Sequence, residues 1–139
     1  MSYKTIKNGI GLILKGLGYQ KSSVITSFED APANEFGVRY ILKSLSGELD
    51  DEGSETIIDR LYDYQTWEIQ LAFAKSTNND ISNYDAIHRK KDTLIATIDS
   101  PSNWTSFARM VKYKSWEVRE ESSYFILAVE ILVHNQYNY

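Results

Sequence analysis

The amino-acid sequence predicts an α+β fold, a mostly antiparallel β-sheet flanked by two helices in the order α-β-β-(β)-α-β-β. Two stretches carry apolar residues at helical spacing, and several others alternate apolar with polar residues as strands do. No internal repeat or low-complexity tract interrupts the 139 residues, a length close to that of one ordinary domain. We therefore expect residues 1–139 to form a single domain.

The first predicted helix covers residues 2–17, where the apolar side chains fall on one stripe. Gly18 follows at the position where helices commonly end on a glycine. Three further glycines lie inside the segment, and each weakens a helix by roughly 1 kcal/mol relative to alanine. Hence this helix is expected to depend on packing against the sheet. The apolar stripe consists of Ile6, Ile10, Ile13, Leu14 and Leu17.

The second predicted helix begins near Ser82, because Ser82 and Asp85 have the spacing of a capping box. It ends at Asp99 and Ser100, since the residue before Pro101 disfavours helical backbone. The spacing of its apolar residues predicts one buried face. That face carries Tyr84, Ile87, Lys91, Leu94, Ile95 and Ile98.

The remaining segments are interpreted as strands and the loops between them. Alternation is clearest in residues 67–73, and the loops are marked by turn-forming and charged residues. Residues 57–64 are either a strand partner or an entry segment. The other predicted strands are 24–28, 36–45, 113–120 and 124–134; the predicted loops are 29–35, 46–55 and 76–80, and the polar tail 135–139 is expected to be loosely held.

The terminal hairpin, residues 113–134, is the strongest candidate for a subunit contact. Its last strand carries apolar residues on both faces, which is typical of a strand covered on both sides. Two helices are too few to supply both covers, so the second cover is expected from another subunit. The residues on that second face are Tyr124, Ile126, Ala128 and Leu132, and they form the first part of the candidate interface.

Composition narrows the classes of function. The chain has no cysteine, which excludes disulfides and thiolate metal sites and fits a reducing compartment. Its net charge of −4 weighs against binding a nucleic-acid backbone as the main activity. No stretch approaches the ~20 apolar residues of a membrane span. Lys15 interrupts the N-terminal apolar run and no small-residue cleavage site follows, so a soluble protein made in the cytoplasm is expected.

The sequence predicts no catalytic residue, no metal site and no cofactor. His88 has Asp85 and Asp92 at helical spacing, but a surface helix histidine is the simpler interpretation. His134 ends the last strand, and neither histidine has an evident orienting partner in a loop. The acidic residues Asp50, Asp51 and Glu52 lack the spacing of a calcium loop.

Two surface features point to protein partners instead. The run 88–91 includes Arg89 and Lys90, which suit an acidic partner, nucleic acid or simply solvent. Ten tyrosines and three tryptophans are a large share of the chain, and such residues are enriched at protein interfaces. Trp67, Phe73 and Trp116 are assigned to the core; Tyr62, Tyr64, Tyr113, Tyr137 and Tyr139 are the tyrosines that core packing explains less well.

Three stretches carry a family resemblance. They are the helix with its glycine exit, residues 6–18; the passage from Trp67-Glu-Ile-Gln-Leu-Ala-Phe to Tyr84-Asp-Ala-Ile-His-Arg; and the terminal hairpin with Tyr113-Lys-Ser-Trp and Tyr124-Phe-Ile-Leu-Ala-Val. In these the chain resembles the tail terminator (tail completion) proteins of long-tailed bacteriophages, particularly those of Gram-positive hosts. Such proteins are often labelled minor capsid or minor structural proteins.

The resemblance implies a virion structural protein without a catalytic residue or cofactor. It implies a homo-oligomeric ring, commonly a hexamer, made in the host bacterial cytoplasm and placed on the last ring of the tail tube. The ring would stop tube growth and present its upper face to the head–tail connector protein, while DNA passes through the lumen without specific binding. The acidic loop 47–55, with Asp50, Asp51 and Glu52, suits either the lumen or an interface.

Two alternatives stay open beside the tail terminator. One is another head–tail connector of the stopper type, which would share the virion location and the lack of chemistry. The other is a small α+β module that binds a ligand or a peptide. An enzyme is the least favoured class, because no nucleophile elbow, P-loop or dinucleotide motif is present in the sequence.

Overall fold

A computed structural model describes residues 3–22, 28, 37–50, 60–75, 80–121 and 123–138. They form two helices and a five-stranded, mostly antiparallel sheet, so the α+β prediction and its element order are confirmed. The sheet order is β1-β2-β3-β5-β4, with β1 parallel to β2 and every other pair antiparallel. In chain order the elements are α1 (Tyr3–Gly16), β1 (Gln20–Lys21), β2 (Arg39–Leu49), β3 (Arg60–Ala74), α2 (Asp80–Ile98), a 3-10 turn (Pro101–Asn103), β4 (Met110–Glu120) and β5 (Tyr124–Asn138).

The central pair of strands, β3 and β5, organises the core. They pair residue for residue from Arg60 opposite Asn138 to Ala74 opposite Tyr124. Because side chains alternate along a strand, one set of residues from both strands points to each face of the sheet. The set with odd numbers packs against both helices, so the two helices cover the same face. The buried residues of this main core include Ile6, Ile10, Leu14, Trp67, Ile69, Leu71, Ile87, Leu94, Ile98, Leu127, Val129 and Ile131.

The first helix confirms the predicted stripe and its glycine ending. Ile6, Ile10 and Leu14 are buried against the sheet. Gly18 adopts a φ of 93°, a backbone conformation that side-chain-bearing residues rarely adopt. The turn is closed by the Tyr19 amide, which donates to the Leu14 carbonyl at 3.0 Å. Neither helix in the described part of the chain is long and apolar enough to cross a membrane.

The second face of the sheet has a cover from the same chain, which corrects the expectation of a cover from another subunit. Phe28, from the connection between β1 and β2, is completely buried in a second cluster with Tyr124 and Ile126. The same cluster includes Ile41 and Ala72 of the neighbouring strands. The two-sided apolar character of β5 was interpreted correctly as burial on both sides. Among the described residues, the Phe28 ring supplies the cover for Tyr124 and Ile126.

The acidic loop and the polar tail were predicted wrongly where the structure describes them. β2 continues to Leu49 through a bulge at the Ser44–Ser46 step, and the bulge breaks the alternation on which the prediction relied. Residues 135–138 belong to β5 and pair with the start of β3. Their polar composition resembled a loose tail because no apolar alternation marks them. Trp116 is also 39% exposed rather than part of the core.

Some predicted elements lie outside the described residues. These are most of the strand predicted at 24–28, the loop 29–35, most of the acidic loop beyond Asp50, and the turn 76–79. Gln20–Lys21 forms a short strand that the sequence did not predict, since two polar residues carry no pattern. The segment 57–64, which was left open, enters β3 from Arg60 onward.

Gly9 gives a direct test of the packing between α1 and the segment before β4. A Cβ at this position would lie 2.2 Å from a ring carbon of Phe107, which is itself buried. We expect Gly9→Ala to lower the free energy of unfolding by about 1–3 kcal/mol, because the ring or the helix must shift. Urea unfolding followed by circular dichroism measures the change.

The matched control is Gly16→Ala at the end of the same helix, where a Cβ would meet nothing within 4 Å. This variant should be neutral or more stable, by up to about 1 kcal/mol, because alanine is the better helix former. A Gly9→Ala variant as stable as Gly16→Ala would contradict the described contact.

Candidate interaction surfaces

A groove with a volume of about 840 Å³ lies beside α1. We call it the α1 groove. One wall is α1 and the other is formed by β1 and the start of β2. Its principal lining residues are Lys7, Gly11, Leu12, Lys15, Lys21 and Tyr40.

A glycine and two tyrosines shape the floor of the α1 groove. A Cβ on Gly11 would lie 3.0 Å from the Tyr40 hydroxyl, so this glycine allows the hydroxyl to approach the helix. Tyr19 is buried beneath the groove. Burial raises the pKa of Tyr19 and of Tyr40 above the ordinary tyrosine value. Both hydroxyls therefore stay neutral near pH 7, and the charge of the groove comes from lysines.

The α1 groove is positive throughout its described lining. Lys7, Lys15 and Lys21 line it, and no acidic residue is among the described residues that do so. Lys90 of α2 approaches the same region, with its Nζ 5.9 Å from the centre of the Tyr19 ring. The Arg39 guanidinium adds a further cation close by, where it donates to the Lys21 carbonyl at 2.8 Å.

Sequence reasoning missed this groove, although a signal was present. The first 28 residues contain four lysines and no acidic residue. Such segregation of charge is a compositional feature that periodicity does not reveal. The lysines form one surface only because α1 lies beside β1, which brings Lys7 and Lys15 next to Lys21.

The other end of β2 is acidic. Residues 44–59 carry six carboxylates and no basic residue, and we call them the acidic segment. Glu48 lies exposed on β2 within it. The predicted interface residues Asp51 and Glu52 belong to the same segment but lie outside the described residues.

Asp50, the third acidic residue of the predicted interface, is held by His134. The His134 Nε2 donates to the Asp50 Oδ2 at 2.8 Å, and both side chains are largely buried. The His134 ring also stacks on Tyr64, with ring centres 4.6 Å apart, and on Tyr62 at 5.5 Å. The prediction that His134 lacks an orienting partner was therefore wrong. Its partner is 84 residues away in sequence and is brought close by strand pairing.

The predicted interface residues of β5 are not free surface. Tyr124, Ile126 and Ala128 are buried within the chain, and Leu132 is half-buried. The reason for expecting a partner at this face was a missing cover, and Phe28 supplies such a cover for Tyr124 and Ile126. Arg89 and Lys90, by contrast, are exposed on α2 as an interaction surface requires.

The neighbourhood of His88 is explained by packing on β4. Its ring meets Trp116 edge-on at 5.2 Å, and its Nδ1 lies 3.1 Å from the Lys91 Nζ. Lys91 in turn sits 4.3 Å from the centre of the Trp116 ring and pairs with Asp92. Within the described residues no group of three or more histidine and carboxylate side chains comes together as metal ligands do.

A buried carboxylate on the second face of the sheet is also satisfied. Glu68 accepts a hydrogen bond from the Gln70 amide and lies 3.6 Å from the Arg119 Nη2. Hydrogen bonding to Glu117 raises the pKa of Arg119, so the guanidinium remains charged. These hydrogen bonds and ion pairs join β3 to β4 across β5. It provides structural support, because each charged group already has a partner within the chain.

Both exposed strands of the sheet are poorly suited to pairing with another strand. A bulge interrupts β2 between Ser44 and Ser46, and another interrupts β4 between Tyr113 and Ser115. The two bulges lie at the same level of the sheet, and Lys114 projects at the second one. Bulges and edge lysines are common protection against edge-to-edge association. Contacts with a partner are therefore expected to use side-chain surfaces.

The contact between Asp50 and His134 can be tested by stability. Asp50→Ala should lower the free energy of unfolding by about 1–3 kcal/mol, because it leaves the buried His134 nitrogen without this partner. Asp50→Asn should lower the free energy of unfolding by less than Asp50→Ala does, since the asparagine amide can still form a hydrogen bond with His134. Glu48→Ala, on the exposed end of the same strand, is the control and should change stability by less than about 0.5 kcal/mol. Equal losses for Asp50→Ala and Glu48→Ala in urea unfolding would refute the contact.

Comparison with known proteins gives no relative from which a role could be transferred. A scan against models of protein families finds no match, and no curated protein matches the chain significantly in sequence. The arguments for function therefore rest on the α1 groove, the acidic segment and the exposed residues beside them.

Proposed function

We propose that this chain is a non-enzymatic virion structural protein, a tail-terminator-like subunit that assembles into a ring at the head-proximal end of a phage tail tube. There it would end tube growth and form the head–tail joining interface. The resemblance of three sequence stretches to tail terminators suggests the setting. The observation that carries the association itself is the position of the exposed apolar side chains.

Four large apolar side chains are exposed on α1, on β2 and directly before β2. Leu12 is 69% exposed, Val38 48%, Leu45 46% and Leu49 50%. Single exposed apolar residues are ordinary, whereas exposed apolar residues that lie together mark a surface that contacts another protein. Burying a leucine fully stabilises an association by about 1.5–3 kcal/mol, so these residues would contribute to the affinity of a contact.

The four residues form two different sets, which favours a ring over a symmetric dimer. Leu12 lines the α1 groove, and Val38 is adjacent to it because its carbonyl accepts the Gln20 amide. Leu45 and Leu49 lie at the other end of β2, inside the acidic segment. When two different surfaces of one subunit meet, the contact is head-to-tail and generates a ring or an open filament.

Oligomeric state tests the proposal. We expect the wild-type chain to form a closed oligomer in native mass spectrometry and rings in negative-stain micrographs. Leu12→Ser and Leu49→Ser should each raise the dissociation constant about 5- to 30-fold, since each removes about 1–2 kcal/mol of apolar burial. Sedimentation velocity over a concentration series measures the change.

The control is Tyr84→Ser, which removes an exposed aromatic residue of α2 that belongs to neither leucine-containing set. Its assembly should match that of the wild type. A wild-type chain that stays monomeric at its highest soluble concentration would refute the ring. Loss of assembly in Tyr84→Ser with normal assembly in both leucine variants would place the contact elsewhere.

The second candidate function is a module that binds a small ligand or peptide, and the α1 groove is the observation that favours it. Its volume of about 840 Å³ falls within the range of about 300–1,000 Å³ found for ligand pockets. If the chain has this function, it should be a monomer, and its midpoint temperature of thermal unfolding should rise when a ligand binds. A screen of small carboxylates and acidic peptides, with the midpoint as readout, separates it from the ring.

A further inference from the structure

We infer that Asn135 and Asp63 bind an internal water molecule at the polar end of the main core. The inference goes beyond the proposed function and is independent of it. Its first support is the Asn135 side chain, which is completely buried. Within the described part of the chain, neither its Nδ2 nor its Oδ1 has a hydrogen-bond partner.

An unpartnered amide is costly inside a protein. In the unfolded chain water satisfies both polar atoms of an asparagine, and burial without a replacement loses those hydrogen bonds. Nearly all buried polar groups in folded proteins therefore have a partner, which is either another protein group or an ordered water. Since Asn135 is completely buried, its ligand has to be small enough to lie inside the fold. Water meets this condition and can both donate and accept a hydrogen bond.

The pairing of the strands identifies a second group that contacts the water. Asn135 follows Val133 of the main core on the helix-covered face of β5, and Asp63 lies directly opposite it on β3. The Cβ atoms of directly opposite residues are about 4.5–5.5 Å apart, which suits a bridging water where the two side chains do not bond directly. The Asn135 Nδ2 then donates to the water, and the water donates to the Asp63 carboxylate.

The Asp63 carboxylate is part of a row of polar side chains on the same face. The Trp67 Nε1 donates to the Gln65 Oε1 at 2.9 Å, and the Gln65 Nε2 donates to the Asp63 Oδ2 at 3.3 Å. An ionised carboxylate has about four acceptor sites, so Asp63 can accept from a water as well as from Gln65. The water thus links this row to Asn135 and joins β3 to β5 where their apolar residues end.

A water fits the site better than a cation does. A sodium ion would bind the Asn135 Oδ1 and the Asp63 carboxylate, but it would leave the Nδ2 donor of Asn135 without a partner. Both polar atoms of this amide need a partner, so the ligand has to be able to accept a hydrogen bond.

The experiment replaces the amide by an apolar side chain, in Asn135→Leu. We expect this variant to lose at least one long-lived water, because leucine offers no hydrogen bond to hold it. Magnetic relaxation dispersion of the water signal measures the number of such waters. A chain of this length holds roughly five internal waters, so the difference from the wild type decides rather than the total. The equilibrium constant for unfolding in urea should also rise about tenfold, because Asp63 loses a partner.

The matched control is Gln70→Leu, which removes a buried amide whose partner lies within the chain. The Gln70 Nε2 donates to Glu68, so this variant should lose stability while it keeps every long-lived water. Circular dichroism checks that both variants are folded. If Asn135→Leu does not fold, Asn135→Val replaces it, since valine is smaller, favours strands and likewise cannot bind the water.

Two results would overturn the inference. One is an Asn135 variant with as many long-lived waters as the wild type, whatever its stability. The other is a wild type that unfolds at a higher urea concentration in sodium chloride than in choline chloride of equal ionic strength, with the difference lost in the Asn135 variant, because a cation would then occupy the site. Neither measurement tests the ring, whose failure would leave the water site unaffected.

Discussion

The antiparallel pairing of β3 with β5 is the interaction on which the rest of the structure depends. These two strands form the centre of the sheet, and fifteen consecutive residues of each are in register. A slip of one residue would turn Trp67 and Leu127 from the helix-covered face to the opposite one. Because both strands are apolar on the helix side, only one register buries Trp67, Ile69 and Val129 together. The register also brings His134 beside Tyr64, from where it reaches Asp50.

The same pairing sets the positions of both candidate surfaces. β2 is aligned along β3, so its two ends are held at a fixed distance by the rigid centre of the sheet. α1 packs on the core through Ile6, Ile10 and Leu14, which leaves the opposite side of the helix, with Lys7, Leu12 and Lys15, facing the α1 groove. An amphipathic helix thus serves two purposes at once. Its apolar stripe anchors the helix to the core, and the lysines on its other side supply the charge of the groove.

The sequence was sufficient to predict what depends on local pattern. The stripe of α1, its glycine ending and the alternation of β3 and β5 are all short-range signals, and the structure confirms them. The errors concern what only long-range pairing decides. Residues 135–138 are polar, but they complete β5 because β3 offers a partner strand. Likewise, no residue near Asp50 in sequence indicates that His134 is its hydrogen-bond partner. The α1 groove was missed because it is built from three elements whose side chains carry no common motif.

Burial of the second face changes what kind of association this chain can make. Had β5 required another subunit to cover Tyr124 and Ile126, the protein would have been an obligate oligomer whose folding and assembly are one process. Phe28 packs on these residues within the chain, so their burial does not depend on a partner. Assembly would then use side chains that are already exposed, with lysines and carboxylates beside a few leucines. Such contacts weaken as salt rises, since exposed charges are screened beyond about 8 Å at physiological ionic strength. A folded subunit that associates through such a surface would therefore assemble more weakly as the salt concentration rises.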